Sequence, residues 1–524
     1  MRSLTQAACV LWLALPAAAG SADASGAARA RVLLAEGAIV GALPADAPGA
    51  VFKGIPYAAA PVGPLRWRPP TPIPPWHAPR AATAFGPPCV QNGREGPTGS
   101  EDCLYLNVWT PAWPRGGAHP VMVWVHGGAN VVGSANSPTF DGAALARRGV
   151  VVVTVNYRLG VMGFMAHPAL SAESPHHASG NYTLLDLIAA LRWVHTHIAA
   201  FGGDPRRVTL FGQSSGAYDV LLLMTSPLAR GLFAGAIAQS GQLLSYDGPM
   251  PKSRAEALGS RIAAELQAPP GDAALGFLRS LPAERVVAVA AQWLPTALGS
   301  DTGLLTNVDG WVLPESPARV FAAGRQLPVP LIVGNNAREI TPQAGAEELR
   351  RQITDFYAEL APQALDAYGL SQGGAGISDP LLGGAGAQWW TDIVQRCAAS
   401  MEADWHAAAR HPTWQYQFER AIPGREAAGS FHGAELAFVF GTLDRLSPLP
   451  AFTEADRLAS QDMQAYWTRF ASTGDPNGGS LPIWPRAGDG RYLAFTADGP
   501  VVKDHLQPGP CAVFRQRTLQ RLAR

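Results

Sequence analysis

Short runs of aliphatic and β-branched residues alternate along the chain with stretches whose apolar positions recur at helical spacing, the signature of an α/β sheet. Val121-Met122-Val123-Trp124-Val125 and Val150-Val151-Val152-Val153-Thr154-Val155 lack polar alternation and suit strands buried on both faces. Leu184, Leu187, Ile188, Leu191, Val194 and Ile198 fall on one helical face, which predicts a helix from Leu184 to Ile198. Val208 to Phe211 reads as a strand and Ala217 to Met224 as a helix soon after it. Further strands are expected at Ala236 to Gln239, Leu331 to Val333 and Trp414 to Phe418, and an irregular loop over the Gly- and Ala-rich segment Gly373 to Gln388. There is no internal repeat, and nothing marks a boundary between independent domains.

Composition narrows the class. The 524 residues are 47% hydrophobic and 15% charged, enough apolar surface for a large core. Lys+Arg and Asp+Glu are both 40, so the chain lacks the basic footprint of a nucleic-acid binder. Beyond the N-terminus no apolar run reaches the roughly 18 residues of a membrane span. The first residues carry Arg2, an apolar stretch from Ala7 to Leu15 and the small-residue run Pro16 to Ala22. Residues 1–22 are therefore expected to be an export signal, leaving 23–524 as one domain in the periplasm or outside the cell. Cys9 departs with the signal, and in an oxidising compartment Cys89, Cys103, Cys397 and Cys511 make two bridges or none. No CxxC or His/Cys spacing suggests a metal site, and no cofactor is expected.

The chemistry begins at Gly212-Gln213-Ser214-Ser215-Gly216, a GxSxG between a predicted strand and an apolar helix. A side chain lifted out of such a turn sits at strained φ/ψ, with neighbours too close for a Cβ on either side. A serine hydroxyl is a weak nucleophile and needs a base, an acid to orient the base, and donors for a developing oxyanion. His126-Gly127-Gly128-Ala129 follows directly on the strand ending at Val125, and its successive N–H groups can converge with that of Ser215 on one point. Among twelve histidines, His432 stands on a glycine-flanked loop after the last strong strand. Glu339 stands after the strand at Leu331 to Val333, which completes the chain order serine, acid, histidine.

Taken together these residues resemble the type-B carboxylesterases, the family of cholinesterases and bacterial p-nitrobenzyl-type esterases. The resemblance runs from about Phe52 to Cys511 through Phe52 to Ala58, Glu101 to Asn107, Asn156 to Gly160, Phe201 to Pro205 and His432 to Leu436. It implies an α/β-hydrolase fold, a large and mostly parallel sheet flanked by helices. It implies Ser214, Glu339 and His432 as the catalytic triad, Gly128, Ala129 and Ser215 as oxyanion donors, and Ser240 as a supporting serine near the triad. It also implies the bridges Cys89–Cys103 and Cys397–Cys511, and structural ion pairs Arg66–Glu101 and Arg158–Asp186.

The sequence departs from the family pattern at several points. Ala129 replaces a third glycine, and Asn130 an aromatic or other bulky residue. Gln213 replaces the glutamate usual before the nucleophile, which removes an attraction for cations and argues against choline esters. Thr183 and Leu187 replace a glycine and a glutamine, with consequences for packing. Ser300-Asp301-Thr302-Gly303-Leu304, where an acyl pocket is expected, lacks the phenylalanines of cholinesterases and implies a roomier or more polar site. The expected function is an exported serine carboxylesterase acting on a small-molecule ester through an acyl-enzyme. The alternatives are a lactone, thioester, carbamate or activated amide as the bond cleaved, or a non-catalytic binding module of the same fold.

Overall fold

The computed structural model describes residues 29–45, 48–241, 243–244, 248–271, 273–293, 306–342, 344–446 and 452–523. The expected signal at residues 1–22 and the acyl-pocket segment Ser300 to Leu304 lie outside the described residues.

One 13-stranded sheet organises the chain. Its strands are β1 (Arg29–Leu33), β2 (Ala38–Ala42), β3 (Val51–Pro56), β4 (Arg80–Ala81), β5 (Tyr105–Trp109), β6 (His119–Val125), β7 (Val151–Val155), β8 (Gly203–Gln213), β9 (Gly235–Gln239), β10 (Leu331–Asn336), β11 (Thr413–Phe418), β12 (Arg491–Thr496) and β13 (Gly499–Asp504). They lie in the order β1-β2-β3-β5-β7-β6-β8-β9-β10-β11-β12-β13, with β4 beside β2. From β7 through β12 every pairing is parallel. Antiparallel strands close both ends.

The unbroken apolar runs have a direct physical cause: helices cover both faces of the parallel strands. In β6, Val121, Val123 and Val125 pack into one hydrophobic layer, while Met122 and Trp124 pack into the other. Helix α1 (Tyr182–His197) carries the predicted stripe, and helix α2 (Ser215–Thr225) is buried on almost every side. The stretch Tyr182–Phe201, α1 with the helical turn after it, is long and apolar enough to cross a membrane, but most of it is buried inside the molecule. The segment from Gly373 to Gln388 is more ordered than expected. It holds a small strand pair, Ser378–Asp379 with Gly383–Gly384, and the first turn of a helix, Ala385–Thr391. That helix continues through a π-helical turn, Asp392–Arg396, into α3 (Cys397–Ala408). Ala385, Ala387, Gln388 and Trp389 are buried there, so tertiary packing overrides the weak local signal of glycine and alanine.

Candidate active site

The parallel strands end along one edge of the sheet, and the loops that leave β6, β8, β9, β10 and β11 gather the predicted residues there. Ser214 occupies the turn between β8 and α2 at φ 57° and ψ −128°. Both flanking glycines are forced by sterics: a Cβ on Gly212 would lie 2.6 Å from the Gly216 backbone, and one on Gly216 would lie 2.2 Å from the Val125 carbonyl oxygen. The Ser214 N–H donates to the Gln239 carbonyl at 2.9 Å, which pins the turn to β9.

Glu339 and His432 meet directly, with Nδ1 of His432 2.7 Å from Oε2 of Glu339. The other carboxylate oxygen, Oε1, accepts from Ser240 Oγ at 2.6 Å and from the Asn336 N–H at 2.6 Å. The Glu339 N–H donates to Thr391 Oγ1 at 3.1 Å, and the His432 N–H donates to the Glu339 carbonyl at 3.1 Å. A second buried acid, Glu435, accepts from Gln239 Nε2 at 3.1 Å and Asn336 Nδ2 at 2.7 Å. Burial pulls the His432 pKa down, but the hydrogen bond and charge of Glu339, with Glu435 behind it, raise it above the ordinary value for histidine. Burial and the charge of Glu339 push the Glu435 carboxyl up.

The Nδ1 contact with a carboxylate assigns the proton to Nδ1, so Nε2 carries the lone pair. Among the described residues its partner is the side-chain amide of Gln213, with Nε2 to Nε2 3.2 Å. Ser214 Oγ makes no hydrogen bond to His432 in this state. Sequence reasoning places Gln213 beside Ser214; what it misses is that this amide sits on Nε2 of His432. Catalytic hydrogen bonds in empty sites are often long and tighten only with substrate bound.

The loop after β6 lies against Ser214, since a Cβ on Gly127 would come within 3.0 Å of Ser214 Cβ. Gly128, Ala129 and Asn130 have φ of 124°, 55° and 58°, three consecutive residues with positive φ of which two are not glycine. Holding Ala129 there costs about 1–2 kcal/mol. The N–H groups of Gly128 and Ala129 make no hydrogen bond among the described residues. Ser215 is the first residue of α2, where the N–H has no intrahelical partner. Three donors are thus available near Ser214.

The sequence profile of the Carboxylesterase family matches residues 29–369 and 381–514. The chain belongs to that family. It is 38% identical over 455 residues to a fumonisin B1 esterase of Sphingopyxis macrogoltabida, covering 83% of this chain and 81% of that protein. It is 34% identical to the cocaine esterase of Homo sapiens, covering 99% of this chain and 94% of that protein. Among solved structures, the Geobacillus stearothermophilus carboxylesterase EST55 superposes with a TM-score of 0.79 at 34% identity, over 93% of this chain and 99% of that one. A PNB esterase gives a TM-score of 0.76 at 32% identity, with 93% and 99% covered. This member of the carboxylesterase family is accordingly a carboxylic ester hydrolase with the α/β-hydrolase fold, acting on small-molecule esters.

Other predicted residues support the scaffold. Cys89–Cys103 and Cys397–Cys511 are both disulfides. Arg66 pairs with Glu101 at 2.6 Å and also donates to the Leu278 and Leu281 carbonyls. Arg158 pairs with Asp186 at 2.6 Å. Thr183 donates to the Arg158 carbonyl, so its departure from the family pattern serves packing near that pair. One trio with metal-ligand chemistry occurs among the described residues, Asp392 with Cys397 and Cys511, and its sulfurs are tied in the disulfide.

Proposed function

We propose that the enzyme hydrolyses neutral or anionic carboxylic esters through an acyl-enzyme on Ser214. His432 Nε2 takes the Ser214 proton as Oγ attacks the ester carbonyl, and returns it to the departing alcohol. Glu339 holds the imidazole with Nδ1–H inward and stabilises the imidazolium; water then repeats the cycle on the acyl-enzyme. The N–H groups of Gly128, Ala129 and Ser215 receive the oxyanion of each tetrahedral intermediate. The observation that carries this reading is the Glu339–His432 contact at 2.7 Å beside a serine held at strained φ/ψ. For Gln213 the mechanism requires that its amide give up His432 Nε2 to Ser214 when substrate arrives.

Residues 23–524 are proposed to act as one catalytic domain after export and removal of residues 1–22. Two disulfides are compatible with an extracellular protein. Relatives named for fumonisin B1, cocaine and pyrethroids show one scaffold serving dissimilar esters. The acyl and alcohol halves are therefore read from a chromogenic ester series of increasing acyl length, run beside lactone, thioester, carbamate and amide analogues. The deciding experiment is Ser214→Ala, expected to lower kcat by roughly 10⁴ to 10⁶ with folding unchanged, together with a fluorophosphonate probe that should label Ser214 alone. Undiminished ester turnover by the purified variant would remove the mechanism. N-terminal sequencing and non-reducing mass spectrometry of exported material test the rest; a chain still beginning at Met1 would refute removal of residues 1–22, and four free thiols would refute both pairings.

A further inference from the structure

The helix that begins at Ser215 carries a buried polar contact four residues further on, to the loop after β6. Asp219 stands one helical turn beyond Ser215 in the run Ala217-Tyr218-Asp219-Val220-Leu221 and is fully buried. Asn130, also fully buried, donates from Nδ2 to Asp219 Oδ1 at 3.0 Å. The other two atoms of this pair, Asn130 Oδ1 and Asp219 Oδ2, are buried with no hydrogen-bond partner among the described residues. Asn130 is further held by its N–H, which donates to Ser215 Oγ at 3.0 Å, and by its carbonyl, which accepts from the Gly160 N–H at 2.7 Å.

A carboxylate with a single amide donor and no cation against it is costly to bury, by several kcal/mol. The titratable groups that face it are Tyr157 and Tyr218, neither of which supplies positive charge. Burial drives the Asp219 pKa well above the usual carboxylate range, with the Asn130 hydrogen bond opposing only in part. A proton on Oδ2 removes both defects at once: the acid becomes a donor, and the vacant acceptor of the same Asn130 amide is available to it. Amide and acid then form a two-way pair in which no polar atom is left unpaired.

We propose that Asp219 is a positioning residue: as a neutral carboxylic acid it pairs reciprocally with Asn130 and straps the loop bearing the Gly128 and Ala129 N–H groups to the helix bearing the Ser215 N–H. The proposal rests on the reading of those three groups as the oxyanion site. It accounts for the meeting of Asn130, which departs from the family pattern, with an acid inside a buried helix. It also accounts for how Ala129 and Asn130 are kept at positive φ, since without the strap the loop can relax and carry its donors away from Ser214.

The test compares Asp219→Leu with Asp219→Asn, whose amide can form the same two-way pair without a charge. Asp219→Leu is expected to lower kcat roughly 10- to 100-fold, within the range for an impaired oxyanion donor. Its KM should change little, and affinity for a trifluoromethyl ketone should weaken by the same factor as kcat. Asp219→Asn should restore both. Infrared difference spectra between the wild type and Asp219→Asn should contain the carbonyl stretch of a protonated carboxylic acid, a readout that needs no activity and survives a poorly folding leucine variant. If Asp219→Asn is as damaged as Asp219→Leu, or if the spectrum shows a carboxylate, the neutral pair is wrong. A leucine variant that loses thermal stability yet binds the ketone normally would overturn the positioning role. Failure of the oxyanion reading itself is distinguishable, because the wild type would then bind the ketone no better than it binds a substrate.

Discussion

Two buried acids, Glu339 and Asp219, are treated by the protein in opposite ways. Glu339 receives Ser240 Oγ, the Asn336 N–H and the imidazole of His432, three donors converging on two oxygens. Asp219 receives one amide and keeps an oxygen without a partner among the described residues. The first arrangement suits a negative charge that must be present when imidazolium forms. The second suits a group that holds geometry and carries no charge. A third acid, Asp186, shows the remaining solution, a buried cation: Arg158 donates to it from Nη2 at 2.6 Å, from Nε at 2.7 Å and from its own backbone N–H at 3.1 Å. Burial alone therefore says little about what an acid does; the donors around it decide.

The largest expected effect separates Glu339 from Asp219 by the same substitution at each. Glu339→Gln removes the charge opposite the forming imidazolium and no longer fixes the proton on Nδ1, so kcat should fall by about 10⁴-fold. Steady-state kinetics on matched preparations check it. A loss under tenfold for Glu339→Gln would erase the contrast between the two acids.

Next in size is the fold. Arg158→Met would leave Asp186 buried and uncompensated, a change worth about 3–5 kcal/mol, read as a drop in the denaturant midpoint. The double variant Arg158→Met with Asp186→Leu should recover part of that loss, because the cost lies in the orphaned charge. If the single variant is as stable as the wild type, the pair is not what holds α1 against the segment after β7.

These contrasts also mark how far the sequence could be read. The parallel centre was legible because strands buried on both faces leave uninterrupted apolar runs, as at Val121 to Val125 and Val150 to Val155. The edges were not: β1 to β3 and the β12–β13 pair interrupt their apolar residues with Arg, Lys, Gly or Pro, and only their partners make them strands. Ser214, Glu339 and His432 could be named because turn chemistry and chain order constrain them locally. Thr391, Asn336 and Asn130 act through contacts with residues 52, 99 and 89 positions away in sequence, and no local pattern reports such a contact. Asp219 did leave a signal, an acid inside an otherwise apolar helix, but its meaning depends on Asn130. Gln213 was visible as a departure next to the nucleophile, yet its position on His432 Nε2 appears only in three dimensions.

The smallest effect comes from adding an acid where the enzyme has an amide. Gln213→Glu would place a carboxylate against His432 Nε2, where the wild-type amide lies at 3.2 Å. At an intermediate effective dielectric a charge about 5 Å from the reacting centre favours a cationic leaving group by roughly 1–3 kcal/mol. The kcat/KM ratio of acetylcholine to an uncharged isosteric ester should rise accordingly, and in the wild type the uncharged ester should be preferred. The pH profile supplies the sign check. In the proposed mechanism His432 must be neutral to accept the Ser214 proton, so activity should fall as the pH drops through its pKa. Glu339 and Glu435 already hold that pKa above the ordinary histidine value, and a third negative charge stabilises imidazolium further, so the acid limb of kcat/KM should move to higher pH. A wild type that prefers acetylcholine, or a variant with an unshifted ratio and an unshifted acid limb, would show that Gln213 packs beside the site without setting its charge preference.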